Sequence, residues 1–293
     1  MLTGPYNLKT TRELLDAIAH SPKKQLGQNF LVDGNIVRKS LELAQIRAGD
    51  VVVEVGPGLG TLTLTLLQAG ARVFAVERDP SLAALLRERV APLFPETFSL
   101  KEADAMEFPL AALPETLPVD APFKIVANLP YAISTPWTDA VLAGDRLPLT
   151  LVLMLQKEAA DRFTAAAGTK NFGALSVFLD AAYERAAARN VPASCFFPPP
   201  KVDSVLLHLR RRERPILFEK NARRLIRALF TLRRKQLGSA LKKILRENEN
   251  FPAETTEKIG AWLGELPRFG ANELARPESV PALAWLRLNE ILQ

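Results

Sequence analysis

Four short segments carry residue types that can act together on one ligand. Glu54-Val55-Gly56-Pro57-Gly58-Leu59-Gly60 sets three glycines at alternate positions behind the apolar run Val51-Val52-Val53. Such glycines let backbone approach a ligand closely. The spacing is G-x-G-x-G, not the G-x-G-x-x-G of a dinucleotide fingerprint, and no Lys-Ser/Thr pair follows to make a phosphate loop. Glu77 stands 21 residues past Gly56, where an acid can accept both hydroxyls of a ribose. Asp104, in Glu102-Ala103-Asp104-Ala105, can accept from an adenine amino group. Plainer roles stand beside these: Glu77 can pair with Arg72 or Arg78, and Asp104 can cap a helix. Taken together, the three point to an adenosine without a pyrophosphate, a description that S-adenosylmethionine fits. The fourth segment is Asn128-Leu129-Pro130-Tyr131.

These residues need elements to hold them at one edge. Val51–Val55, Arg72–Glu77, Phe98–Lys101, Phe123–Ala127 and Leu149–Leu155 read as strands. The helical stretches Thr61–Ala69, one opened by Pro80, and Thr135–Leu142 lie between them. That alternation predicts a parallel sheet with helices on both faces and ligands beyond the carboxyl ends of the strands. Two helices precede it, one with capping-box spacing at Thr10-Thr11-Arg12-Glu13 and one capped by Asp33. After Arg214-Pro215 the pattern is all-helical: Lys220–Phe230, Arg234–Glu247, Glu254–Leu263 and Pro281–Leu292. The expected domains are therefore residues 1–212 and 213–293, in line with a length of 293.

Composition excludes several classes. Hydrophobic residues at 48% and charged residues at 24% are those of a packed globular chain, not a disordered one. One cysteine forbids an intrachain disulfide, and two histidines leave no zinc set. No apolar run approaches the length of a bilayer span. The expectation is a soluble, metal-free, intracellular protein.

The Asn128–Tyr131 tetrapeptide, at the end of the fourth strand of a G-x-G-x-G fold, resembles the catalytic loop of adenine-N6 methyltransferases. An adenine amino nitrogen is a poor nucleophile because its lone pair is delocalised into the ring. The Asn128 side-chain oxygen and the Leu129 carbonyl can each accept one of its N–H bonds and aim the lone pair at a methyl group. Pro130 fixes the turn. Tyr131 can stack on the base and favour a sulfonium charge.

Further segments are similar to the ribosomal RNA small-subunit adenine N6,N6-dimethyltransferases. They are Lys24-Gln25-Leu26-Gly27-Gln28-Asn29-Phe30-Leu31, Gln156–Arg162, Gly173–Val177, and the F-x-P-x-P-x-V-x-S loop Phe196–Ser204. The resemblance implies a Rossmann-like class I methyltransferase sheet with a small helical C-terminal domain. It implies cofactor contacts at Asn29, Leu31, Gly56, Glu77, Asp104 and Asn128, beside the Gly58 turn. It implies that Phe196 stacks on a flipped adenine opposite Tyr131, although two core aromatics before a proline run is the plainer reading of Phe196 and Phe197. The substrate so implied is a pair of adjacent adenines near the 3′ end of small-subunit rRNA, within an immature subunit, and the enzyme a cytoplasmic monomer. Two alternatives stay open: a large-subunit methyltransferase of the macrolide-resistance type, and a non-catalytic assembly or transcription factor on the same fold.

Charge adds a possible RNA face. Residues 205–247 hold fourteen Lys/Arg against three Asp/Glu, in a chain of net charge +6. That excess of eleven suits a polyanion, as well as a merely solvated helix face. Arg223 and Arg227 share a helix face by spacing. Arg233, Arg234 and Lys235 are expected to open the next helix, and Lys242 and Lys243 to continue it.

Overall fold

The computed structural model describes residues 4–111, 113–114, 116–247 and 253–293. In chain order its elements are α1 (Leu8–Ala17), β1 (Phe30–Leu31), α2 (Gly34–Leu43), β2 (Val51–Val55), α3 (Thr61–Gln68), β3 (Arg72–Glu77), α4 (Pro80–Arg89) and β4 (Phe98–Glu102). Then follow β5 (Lys124–Asn128), α5 (Ser134–Ala143), β6 (Thr150–Gln156), α6 (Lys157–Phe163), α7 (Ala174–Ala182), β7 (Tyr183–Val191), β8 (Phe196–Phe197) and β9 (Ser204–Arg211). The chain closes with α8 (Lys220–Thr231), α9 (Leu237–Glu247), α10 (Ala253–Glu265) and α11 (Ala282–Ile291). It forms two units: Met1–Ala160 with Arg185–Arg211, and Asp161–Glu184 with Arg212–Gln293.

In the first unit a seven-stranded sheet runs β4-β3-β2-β5-β6-β9-β7. The pairs β2–β3, β3–β4, β2–β5 and β5–β6 are parallel. Strand β2 lies between β3 and β5, so the strand order reverses there, and a crevice opens at the carboxyl ends of β2 and β5. β2 is buried at every position, as its Val-Val-Val-Glu-Val sequence requires of a central strand. One departure from the expected parallel sheet is β9, which runs antiparallel to β6. A second, two-stranded sheet pairs Phe30 with Phe197 and Leu31 with Phe196, joining the N-terminal signature to the proline loop.

Caps follow side-chain chemistry. Asp33 accepts from Asn35 and Ile36 N–H at the start of α2, and Pro80 opens α4 behind Asp79, both as expected. The first helix is corrected: Asn7, not Thr10, caps it, because the Asn7 side chain accepts the Thr10 N–H at 3.0 Å and draws the start back to Leu8.

The second unit takes in Asp161–Glu184, a stretch that lies within the expected first domain of residues 1–212. Phe178 of α7 packs on Phe218 with ring centroids 5.1 Å apart. The Arg223 guanidinium lies over the Phe178 ring at 4.3 Å. Arg223 is thus turned inward and 5% exposed, which removes it from any RNA face. Arg224 is the outward neighbour. Arg233, Arg234 and Lys235 do not open a helix. They lie in the turn before α9, whose first N–H groups, on Leu237 and Gly238, donate to the carbonyls of Ala275 and Glu273. Arg233 is committed inside the unit, donating to Glu278 Oε2 at 2.6 Å and to the Lys170 carbonyl at 2.7 Å.

Candidate active site

A cavity opens at the carboxyl ends of β2, β3 and β5. Its walls include Gln25–Phe30, Gly56–Gly58, Glu77, Asp104, Asn128 and Pro130. The glycine turn is there for conformational and steric reasons. Gly58 has φ +60°, and a Cβ on it would meet the Phe30 ring at 3.1 Å. Gly56 has φ +68°, and a Cβ there would meet Pro130 at 3.4 Å.

Glu77 ends β3, 6% exposed, and backbone N–H groups hold it where a guanidinium was the plainer expectation. Gly58 N–H donates to Oε2 at 3.0 Å and Asp79 N–H to Oε1 at 2.9 Å. Burial raises its carboxyl above the ordinary range, against those same hydrogen bonds. Asp104 lines the cavity and closes a turn, not the helix of its plainer reading, since no helix forms among the described residues between β4 and β5. Its Oδ1 accepts the Met106 N–H at 2.9 Å, and its Oδ2 pairs with Arg78 at 3.1 Å.

Asn128 ends β5. Its Nδ2 donates to the Asn29 carbonyl at 3.0 Å, and the Asn29 side chain donates to the Gly27 carbonyl at 3.0 Å. The amide is therefore oriented, with Oδ1 left to accept an N–H from a ligand. Leu129 is buried, and Pro130 leads into a tight turn in which Ile133 N–H donates to the Pro130 carbonyl. The Tyr131 hydroxyl lies 2.6 Å from Ser204 Oγ, so the last residue of the proline-loop motif anchors that ring. Leu31, Leu129, Tyr131 and Phe196 are not among the cavity walls. Phe196 is 3% exposed and belongs to the core, the plainer of its two readings.

Glu54, two residues before Gly56, has a role that no spacing in the sequence signals. It is fully buried, and Thr63 Oγ1 donates to its Oε2 at 2.7 Å. Burial pushes its pKa up to about 8, so it is mainly neutral at pH 7. A carboxyl whose folded value lies above its unfolded value makes stability fall as pH rises between the two, here from about 4.5 to about 8. Glu54→Gln keeps an oxygen for Thr63 and removes the charge. It is expected to flatten that fall and raise Tm at pH 8, as thermal unfolding across pH will show. An unchanged pH slope would contradict the assignment.

The family described as ribosomal RNA adenine dimethylase matches residues 19–261, which contain every wall of this cavity. The chain belongs to that family. Among curated relatives, the ribosomal RNA small subunit methyltransferase A of Opitutus terrae is 55% identical over 284 residues, covering 97% of this chain and 98% of the relative. The enzyme of the same name from Phenylobacterium zucineum is 41% identical, covering 96% and 92%. Among solved structures, a dimethyladenosine transferase from Plasmodium falciparum aligns with TM-score 0.70 and 27% identity, over 88% of this chain and 95% of that one. The 23S rRNA methyltransferase ErmE aligns with TM-score 0.59 and 28% identity, over 90% and 99%. As a ribosomal RNA adenine dimethylase, the protein is an enzyme with a Rossmann-like class I methyltransferase core, and membership implies dependence on S-adenosylmethionine. Among the described residues no helix is long and apolar enough to cross a membrane.

Proposed function

We propose that this chain dimethylates N6 of two adjacent adenines near the 3′ end of small-subunit rRNA, acting as a monomer on an immature subunit in the cytoplasm. The observation that carries the chemistry is the Asn128 amide. Pinned through Nδ2 to the Asn29 carbonyl, it presents Oδ1 beside the glycine turn, where an adenine amino group would be held. Glu77 would take the ribose hydroxyls, and Asp104 the adenine edge of the cofactor. Gly56 and Gly58 would let the backbone approach the cofactor closely. S-adenosylmethionine supplies the methyl group on a sulfonium. Asn128 Oδ1 and the Leu129 carbonyl orient the target nitrogen, so rate comes from positioning and preorganised dipoles. Tyr131, steadied by Ser204, offers a face for the unstacked base, and Phe196 would need to turn out of the core to offer the other.

The small-subunit substrate rests on relatives that bear that name and match nearly the whole chain. ErmE, with its large-subunit substrate, supplies the second reading. Methyl transfer from labelled cofactor to immature small subunits, with large-subunit RNA as control, separates the two. Label on the large-subunit RNA alone would reverse the choice.

The RNA face of the second unit is proposed to consist of Arg224 and Arg227 on α8, Arg234 and Lys235 in the following turn, and Lys242 and Lys243 on α9. All but Lys243 are exposed, and Lys243 lies 3.7 Å from Glu247. Each phosphate contact adds about 0.7–0.9 to the slope of log affinity against log salt. Replacing Arg234, Lys235 and Lys242 with Gln is expected to weaken RNA binding and flatten that slope by about 2 to 3, with cofactor affinity unchanged. A filter-binding salt series that leaves slope and affinity in place would assign these charges to solvation. Arg233 is left out because its loss would break its bonds to Glu278 and Lys170.

A further inference from the structure

His20 is a buried imidazole that the chemistry above does not use. It follows α1, its side chain is 3% exposed, and it is not a wall of the cavity. Its Nδ1 lies 2.8 Å from Ser81 Oγ and its Nε2 lies 3.0 Å from Gln28 Oε1. Gln28 Oε1 also accepts the Lys23 N–H at 2.7 Å, which fixes the amide orientation, and Gln28 Nε2 donates to Asp79 Oδ2 at 2.9 Å. The Asp79 side chain is wholly buried. It takes the Lys23 ammonium at 2.8 Å and the Ser81 hydroxyl at 2.6 Å. Gln28 Oε1 can only accept, so His20 Nε2 donates to it, and Nδ1 shares the remaining hydrogen bond with the Ser81 hydroxyl.

This network reaches the cavity by two routes. Gln28 is itself a wall. Asp79 donates its N–H to Glu77 Oε1, opposite the Gly58 N–H on Oε2. Burial alone would raise the Asp79 carboxyl, but hydrogen bonds from Lys23, Ser81 and Gln28 hold it well below the usual carboxylate range. It therefore stays an anion on which the N-terminal segment converges.

We propose that His20, Lys23, Gln28 and Asp79 form a latch that fastens the Gln25–Asn29 wall over the cofactor cavity and sets the orientation of Glu77. His20 and Lys23 are then positioning residues for cofactor binding, although neither lines the cavity. The inference rests on the reading that this cavity takes S-adenosylmethionine.

Calorimetric titration of S-adenosylmethionine into the full chain tests it with three variants. His20→Ala and Lys23→Met, each losing one or two polar contacts, are expected to raise the cofactor Kd about three- to tenfold. kcat at saturating cofactor should stay within about twofold of the parent, which separates lost affinity from lost chemistry. The rise in Tm that the cofactor induces should shrink in step with affinity. Lys23 is half-exposed, so its variant keeps the test usable if His20→Ala does not fold. Lower Tm with unchanged Kd in both variants would overturn the latch and leave a purely structural network. Glu77→Ala is the control. If it weakens binding while the other two do not, the latch alone fails; if it too leaves binding unchanged, the cavity reading fails and the latch with it.

Discussion

Asn128→Ala is expected to lower turnover by about two to three orders of magnitude, the cost of removing one preorganised transition-state hydrogen bond. Cofactor affinity should fall only modestly. The asymmetry follows from the geometry: Nδ2 is spent on the Asn29 carbonyl, so Oδ1 is the atom left for substrate, and its contact strengthens as the amino nitrogen becomes tetrahedral. Single-turnover methylation with titrated cofactor reads both quantities. Loss of cofactor binding with normal turnover per bound complex would mean that Asn128 holds the cofactor and does not orient the base.

Glu77→Ala is expected to raise the cofactor Kd by about ten- to a hundredfold, because a buried ribose would lose a charge-assisted bond worth about 1.5–3 kcal/mol. It also leaves the Gly58 and Asp79 N–H groups without their acceptor. Glu77→Gln retains an oxygen for only one of them. It should fall between Ala and the parent in equilibrium titration. Affinity unchanged in both variants would take Glu77 out of the site.

Much of this site was legible in the chain because its chemistry sits at strand ends. Hydrophobic runs mark β2, β3 and β5, and the residue closing or following each run is a cavity wall. The N-terminal signature was legible only through resemblance, since Phe30-Leu31 is too short to read as a strand. β7 was hidden for another reason. Tyr183–Val191 holds three alanines, two arginines and a glutamate, a helix-favouring composition that pairing at the sheet edge overrides. The inward turn of Arg223 was equally invisible, because helical spacing gives which residues share a face but not which face meets Phe178. The Asp79 network joins residues up to 61 positions apart, a separation that no local pattern reports.

The methylated base decides what this enzyme does. Mass spectrometry of small-subunit rRNA from immature subunits, after reaction with the purified protein and S-adenosylmethionine, identifies it most directly. The expected product is N6,N6-dimethyladenine at two adjacent positions near the 3′ end, four methyl groups per RNA. Methylation confined to large-subunit RNA, or a single modified adenine in the small-subunit RNA, would contradict it.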